Sequence, residues 1–299
     1  MIAGDNKDKT SKIYAAPAKD ESFQYIIEPI IKWAGGKRQI INKLLYYMPS
    51  KWNTYFEPFL GGGALVSEIY RMNRLKSAVL SDKNFDIYNL FSEIRNNPEE
   101  LIKGLNNLGY RNSKESYYEA RSEFNSIRRT QNLRRAIIFI YLNRHAFNGL
   151  YRLNSRGEFN VPFGRYTNPH LPSSNLVHAW FSLLKNVDLR LCDFQSATKD
   201  ANAGDFVYFD PPYTPISKSS NFTAYIDGGF SYMDQVRLAE EARRLDSLEV
   251  QFMLSNSDTE ETRKLYSSFN VHGIKASRLI NSKAERRQDA SEIIVTNYA

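Results

Sequence analysis

The chain has 299 residues, enough for one large domain or a domain carrying a sizeable insertion. At 42% hydrophobic and 24% charged it matches an ordinary globular protein, and its longest apolar run, at 136–142, is too short to span a bilayer. The net charge of +7 suits an anionic partner, while the single cysteine, Cys192, excludes an internal disulfide and fits a reducing cytoplasm.

In chain order, residues 1–24 are polar and mixed in charge, which predicts a flexible tail without a secretory signal. Tyr55, Phe56 and Phe59 suit a strand, three glycines follow, and Ala64, Leu65, Ile69 and Leu75 fall at helical spacing. A second short strand at 77–82 ends on Asp82, giving a βαβ unit and hence a parallel sheet. From 86 to 172 the texture turns helical, with NNPEELIKGLNNLG, YYEARSEFNSIRRT and RRAIIFIYLNRHAFNGL as helical stretches, followed by NSRGEFNVPFGRYTNP as a loop or hairpin. Strands are expected again at 188–194, 205–210 and over QFMLSNS and EIIVTNY, with a helix over MDQVRLAEEARRL. The pattern is an α/β sheet interrupted by a mostly helical insertion: 25–85 and 173–299 form one domain, 86–172 the other.

Residues 111–165 hold eleven Lys/Arg against four Asp/Glu, a balance of +7 that equals the net charge of the whole chain. Aromatic, Asn and Gly residues are interleaved with these arginines, the footprint of a nucleic-acid surface rather than a plain solvated helix face. The histidines show no metal spacing and no metal site is expected.

Two motifs carry chemistry. In FEPFLGGGA (56–64) a glycine turn joins strand to helix, where a backbone can approach a ligand closely, which makes Phe59, Gly61 and Gly63 candidate cofactor contacts. Asp82 lies 19 residues beyond Gly63, the spacing of an acid that grips ribose hydroxyls, although a helix N-cap would explain it too. Val66 breaks the dinucleotide glycine pattern and no phosphate-gripping residue follows. A nucleoside with a carboxylate and an amine, such as S-adenosylmethionine, fits better than one with a pyrophosphate.

The second motif is DFVYFDPPY (205–213). Four apolar residues suit a central parallel strand, which puts Asp210 at the carboxyl edge where ligands of open α/β sheets bind. Asp210 and the Pro211 carbonyl are then convergent acceptors for the two hydrogens of an exocyclic amine. Such an amine is a poor nucleophile because its lone pair is delocalised into the ring. Holding both N–H bonds favours a pyramidal nitrogen for in-line attack on a methyl sulfonium. Tyr213 offers a face on which an extracted base can stack.

Together IKWAGGK (31–37), FEPFLGGGA (56–64), YLNRHAFNGLYRLNSRGEFNVPFGRY (141–166) and DPPY (210–213) resemble the DNA adenine methylase (Dam) family, including the methylases of GATC restriction systems. The motif order resembles the α class of amino methyltransferases. The resemblance implies a Rossmann-like S-adenosylmethionine-dependent methyltransferase sheet with an inserted, mostly helical DNA-recognition domain, acting on adenine N6 in duplex GATC by base flipping. By position it makes Asp210, Pro211, Pro212 and Tyr213 the catalytic tetrad. Trp33, Lys37, Asp82 and Asp210 become cofactor binders, Lys37 at the cofactor carboxylate, and Asp193 or Phe194 neighbours of its adenine. Lys32 matches a lysine near the first guanine, Arg152 a guanine reader, and Phe147 an aromatic that enters the duplex. Leu150, Pro162 and Tyr166 match further DNA contacts, and Arg144, Asn148, Arg156 and Arg165 suit phosphates or the loop itself.

The tetrad alone leaves rivals open: a methyltransferase acting on cytosine N4 or on RNA, and a non-catalytic DNA-binding protein on the same fold. The intact tetrad speaks against the last, and NRHAFNGLYR offers groove readers rather than a platform for single strands. SSNFTAY (219–225) is expected to be a loop that orders over the base.

Overall fold

The computed structural model describes residues 26–33, 35, 37–130, 132–213, 230–276 and 290–299. The 1–24 leader and SSNFTAY lie outside the described residues.

After helix α1 (Ile41–Tyr47), strand β1 (Tyr55–Glu57), α2 (Ala64–Arg71) and β2 (Ala78–Asp82) form the expected βαβ unit, β1 pairing parallel with β2. Four helices follow: α3 (Phe85–Asn96), α4 (Pro98–Asn106), α5 (Lys114–Ser126) and α6 (Leu133–His145). Then come α7 (Ser174–Leu184), β3 (Val187–Leu191), α8 (Phe194–Ala197), β4 (Phe206–Phe209) and α9 (Tyr232–Ser247). The chain closes with β5 (Gln251–Ser257), α10 (Glu260–Leu265), β6 (Asn270–Ala276) and β7 (Ala290–Thr296). Side chains that accept the orphan amides of a first turn set many starts: Asn84 for α3, Ser113 for α5, Asn132 for α6 and Ser173 for α7, with a full capping box of Ser231 and Asp234 on α9.

The strands form one sheet in the order β3-β2-β1-β4-β5-β7-β6. The first five are parallel, and β7 runs antiparallel between β5 and β6. This is the Rossmann-like methyltransferase sheet. Its faces follow the two-residue alternation of strands. Tyr55, Phe206, Tyr208, Met253 and Ile294 join the core that includes α2, α3, α6 and α7. Phe56, Val207, Phe209, Phe252, Leu254 and Val295 join a second core beneath α9. Among the described residues no helix is long and apolar enough to cross a membrane.

The stretch expected to be helical through Leu150 stops at His145. Ala146 is extended (φ −71°, ψ 150°) and Asn148 takes a left-handed φ of 54°, which an α-helix cannot continue through. The following segment folds back as a hairpin, with antiparallel bridges Ala146–Phe163 and Leu153–Phe159. It is fastened to the sheet by a buried cluster. Arg135 on α6 donates to both carboxylate oxygens of Asp86 on α3, at 2.6 and 3.1 Å, and Tyr151 Oη donates to Asp86 Oδ2 at 2.6 Å. α3 itself packs on β2 and β3 as well as on α6, so Asp86 joins sheet and hairpin through one carboxylate.

Candidate active site and nucleic-acid interface

β4 lies between β1 and β5, fully buried, and Asp210 emerges at its carboxyl end. Phe209 stands opposite Leu254, so one step further Asp210 falls beside Ser255. Ser255 Oγ donates to Asp210 Oδ1 at 3.0 Å and sits 3.0 Å from Tyr208 Oη. Lys37, only 5% exposed, places its ammonium 2.7 Å from the same Oδ1 and donates to the Gly35 carbonyl at 2.8 Å. Both contacts fall on Oδ1, which leaves Oδ2 as the acceptor for a further donor. Burial pushes the Asp210 carboxyl up from its ordinary value, opposed by Lys37 and by the Ser255 hydrogen bond. Pro211 is buried and Pro212 exposed. Tyr213 presents its ring 4.4 Å from the Lys37 ammonium, and its hydroxyl donates to Glu292 Oε2 at 2.9 Å. Lys37, expected at the cofactor carboxylate, is thus found between Asp210 and Tyr213.

Beneath Asp210 lies a second carboxyl. Glu57 is 3% exposed, accepts from Tyr55 Oη at 2.8 Å, and is pushed up to about 8, by burial above all and further by the Asp210 charge. At neutral pH it is largely the neutral acid, which keeps two like charges from facing each other in a dry interior.

At the neighbouring strand end, Asp82 Oδ2 accepts from Gly61 N at 3.0 Å and Oδ1 from Asn84 N at 2.8 Å. Burial raises it to about 6, against the pull of those amides. Asn84, not Asp82, caps the helix that follows. Gly61 and Gly63 have φ of 48° and 69°, the left-handed region where L side chains are strained. They are also crowded: a Cβ on Gly61 would meet Trp33 Cδ1 at 2.6 Å, and one on Gly63 would meet Trp180 at 2.4 Å. The close approach that the glycines permit is that of the protein's own tryptophans. Trp33 is in turn set 5.5 Å from the Tyr151 ring, which links the glycine loop to the hairpin.

Phe59, Phe194 and Phe230 form an aromatic cluster, with Phe59 stacked on Phe194 at 5.6 Å and edge-on to Phe230 at 5.6 Å. Asp193 is engaged elsewhere: it caps α8 by accepting from Ser196 N at 2.9 Å and pairs with Arg237 at 2.9 Å. Among the described residues no cluster of His, Cys, Asp and Glu could hold a metal.

The candidate DNA contacts gather on the hairpin and beside 31–33. Lys32 is tied in place by reciprocal backbone bonds to the Asn143 side chain, at 2.8 and 2.6 Å, and its ammonium lies 4.2 Å from the Tyr166 ring. Arg144 donates to the Ile30 carbonyl at 2.6 Å, and its Nε is buried without a partner among the described residues. Lys32, Arg144, Tyr166, Asn168, Pro169 and His170 line a concavity of about 180 Å³. Burial lowers the Lys32 ammonium from its ordinary value, and the Arg144 charge lowers it further. Arg152 is exposed, and its Nε and Nη2 are braced on Asn160 at 2.7 and 3.2 Å, leaving the Nη1 end of the guanidinium fork outward. Phe147 is 44% exposed, while Leu150 packs partly buried against the core. Asn148, Pro162 and Arg165 are exposed, Arg165 at a left-handed φ of 56°. Arg156 pairs with Glu158 at 3.3 Å.

Sequence reasoning missed Ser255, Glu292, Glu57, Asn143, Asn160 and the Asp86–Arg135–Tyr151 cluster. Ser255 and Glu292 did leave a trace, as polar residues inside strand segments that otherwise read as buried.

A mostly parallel sheet with a carboxyl-edge acid, a glycine turn and a strand-end Asp82 fits the fold of S-adenosylmethionine-dependent methyltransferases. The family profile described as D12 class N6 adenine-specific DNA methyltransferase matches residues 33–280, and the chain belongs to that family. It is 45% identical over 276 residues to a type II methyltransferase, M1.LlaDCHI, of Lactococcus lactis subsp. cremoris, covering 91% of this chain and 96% of the relative. It is 38% identical over 287 residues to the type II methyltransferase M.MjaIII of Methanocaldococcus jannaschii (91% and 99% covered). It is 35% identical over 266 residues to the DNA adenine methylase of Escherichia coli K12 (88% and 93% covered). The protein is therefore an adenine-specific DNA methyltransferase, and the cytosine, RNA and non-catalytic alternatives fall away at the level of the family.

The residues fit the cofactor of that family, S-adenosylmethionine. Asp82 is a half-buried carboxyl group able to accept hydroxyls, Lys37 supplies a cation, and Phe59 with Phe194 supplies an apolar aromatic wall. When bound, the cofactor supplies an electrophilic methyl group on a sulfonium.

Proposed function

We propose that the protein methylates N6 of an adenine swung out of duplex DNA, within GATC. The observation that carries the reading is the Asp210 carboxylate, with Oδ1 held by Ser255 and Lys37, which among the described residues leaves Oδ2 for a further donor, beside Lys37 and the Tyr213 ring. Oδ2 and the Pro211 carbonyl hold the two amine hydrogens, which orients the nitrogen lone pair. Tyr213 stacks on the base. Burial pushes the Asp210 carboxyl up, and Lys37 opposes that push, which favours the ionised acceptor. After transfer the nitrogen loses a proton, and Asp210 is the nearest base to receive it.

In the same reading, residues 86–172 form the DNA-recognition part. Arg152, braced by Asn160, reads a guanine with its outward fork, and Phe147 fills the space the adenine leaves. Lys32, Leu150, Pro162 and Tyr166 line the groove, while Arg144, Asn148 and Arg165 meet phosphates; Arg156 serves the loop through Glu158. The GATC assignment is supported by the match of Lys32 and Arg152 to the positions that read guanine in the resembling family.

The test incubates the protein with tritiated S-adenosylmethionine and a plasmid, followed by cleavage with nucleases that distinguish methylated from unmethylated GATC. Label incorporation with protection at GATC is expected. Incorporation without it would overturn the sequence assignment while leaving the activity.

A further inference from the structure

Tyr213 is the last described residue after the two prolines, and its hydroxyl is held from a distant strand. Its hydroxyl reaches Glu292, 79 residues away in sequence. Glu292 is an unusual residue for its place. It lies in a strand segment whose next residues, Ile293, Ile294 and Val295, are fully buried. It pairs with Ser257 of β5 on one side and with Ile274 of β6 on the other. Two ladders therefore fix its backbone. It shares its sheet face with Ile294, Ser255 and Asp210 through the period of two, which is why a residue so distant in the chain arrives beside the tetrad.

We infer that Glu292 is a positioning residue for methyl transfer: its carboxylate clamps the Tyr213 hydroxyl and so sets the plane on which the extruded adenine stacks. The inference rests on the proposal that the adenine leaves the duplex and lies on Tyr213. The clamp has a reason in the chemistry. An amine aimed at a methyl group must be held in angle as well as distance, and Asp210 with Pro211 controls the amine end only. The ring of the base needs a second, rigid reference. A tyrosine at the mouth of a turn can tilt about χ2 and swing about χ1; a hydrogen bond from its far end to a strand stops the χ1 swing, and, since Oη lies on the χ2 axis, restrains the tilt through the preference of the phenolic O–H for the ring plane. The phenol is suited to be a permanent donor, since burial and the charges of Asp210 and Glu292 hold it protonated well above its usual range. Lys37 approaches the same ring at 4.4 Å, so the clamp also fixes the surface against which that ammonium rests.

The experiment compares Glu292→Leu, Glu292→Gln, Tyr213→Phe and the double variant Tyr213→Phe/Glu292→Leu in the full-length protein. Each is measured for kcat, KM for a GATC duplex, melting temperature, and the fluorescence lifetime of 2-aminopurine replacing the target adenine. Glu292→Leu and Tyr213→Phe should each lower kcat about tenfold, the value of one hydrogen bond, with KM little changed. Glu292→Gln keeps an acceptor and should stay within about threefold of wild type. The double variant should be no worse than either single one, because both remove the same contact. The probe should show a longer, less quenched lifetime in Glu292→Leu than in wild type, as the loosened ring stacks less well. A further tenfold loss when Glu292→Leu is added to Tyr213→Phe would overturn the inference, as would an unchanged kcat and lifetime in Glu292→Leu. Should Glu292→Leu lack a wild-type melting transition, Tyr213→Phe decides: wild-type kcat and lifetime in it would overturn the clamp. A wild-type complex with no unstacked-probe emission would first overturn the extruded-adenine reading, and the inference with it.

Discussion

The carboxyl edge of the sheet and the 146–166 hairpin solve opposite problems. At the edge, Asp210, Lys37, Ser255, Tyr208, Tyr213 and Glu292 are interlocked, and a charge is kept in a dry place by partners aimed at it. On the hairpin the reactive ends of Arg152 and Phe147 are left outside, and only their stems and neighbours are fixed. Low dielectric makes each contact at the edge costly to remove. High dielectric makes each contact on the hairpin cheap by itself and valuable only against a matching base edge. On the proposed reading, a single chain thus separates the groups that must be rigid before DNA arrives from those that must be available to it.

Four substitutions test that contrast, in descending order of effect. Asp210→Asn keeps the shape but removes the charged acceptor, and kcat should fall about 10³-fold or more with DNA affinity, read by fluorescence anisotropy, changed only a few-fold. Equal loss of both would mean that edge and hairpin are not separable. Glu57→Gln probes the buried acid through pH. Because Glu57 is raised from 4.5 to about 8 in the folded protein, the folded state holds its proton where the unfolded chain has lost it. Its contribution is full below about 4.5 and is lost as pH rises toward 8, on the order of a few kcal/mol. Melting curves of the Gln variant between those limits should lose that slope; an unaltered slope would place the ionisation elsewhere. Arg152→Ala should cost about 1–3 kcal/mol of discrimination at one base pair, measured by competition between matched and single-mismatch duplexes. Uniform weakening on all duplexes would make it a phosphate contact. Asn160→Ala removes only the brace on that arginine, and should cost about 1 kcal/mol or less of the same discrimination. A larger loss than from Arg152→Ala itself would show that Asn160 meets the DNA directly.

The sheet was legible in the sequence where apolar runs are short, bounded and end on an acid, as at 205–210 and 77–82. β6 was not, because NVHGIKA mixes a glycine, a histidine and a lysine into an edge strand whose hydrogen bonds all go to β7. Nor was the end of α6 at His145: Asn148 and Gly149, both at positive φ, are a turn pair, but the apolar run before them masked it, and the hairpin's return to Ala146 ends the helix three residues earlier. The tetrad was readable because its chemistry sits in consecutive residues. Ser255 and Glu292 were not, because their role depends on strand register, and register joins residues that sequence keeps 45 and 79 positions apart. The glycine turn was located, but not the reason for two of its glycines, which is the bulk of Trp33 and Trp180.

The Asp86–Arg135–Tyr151 cluster bears on how such enzymes acquire new target sequences. On the proposed division, a segment grafted from a relative just after residue 86 would bring its own arginine and tyrosine to whatever acid the host helix offers. Without a match, it would leave a buried guanidinium without its counter-charge, held only by the Phe124 and Ile127 carbonyls, a penalty of about 3–5 kcal/mol. Exchange of specificity between cousins is therefore expected to travel with the start of α3, so that the acid and both its donors move as one inheritance.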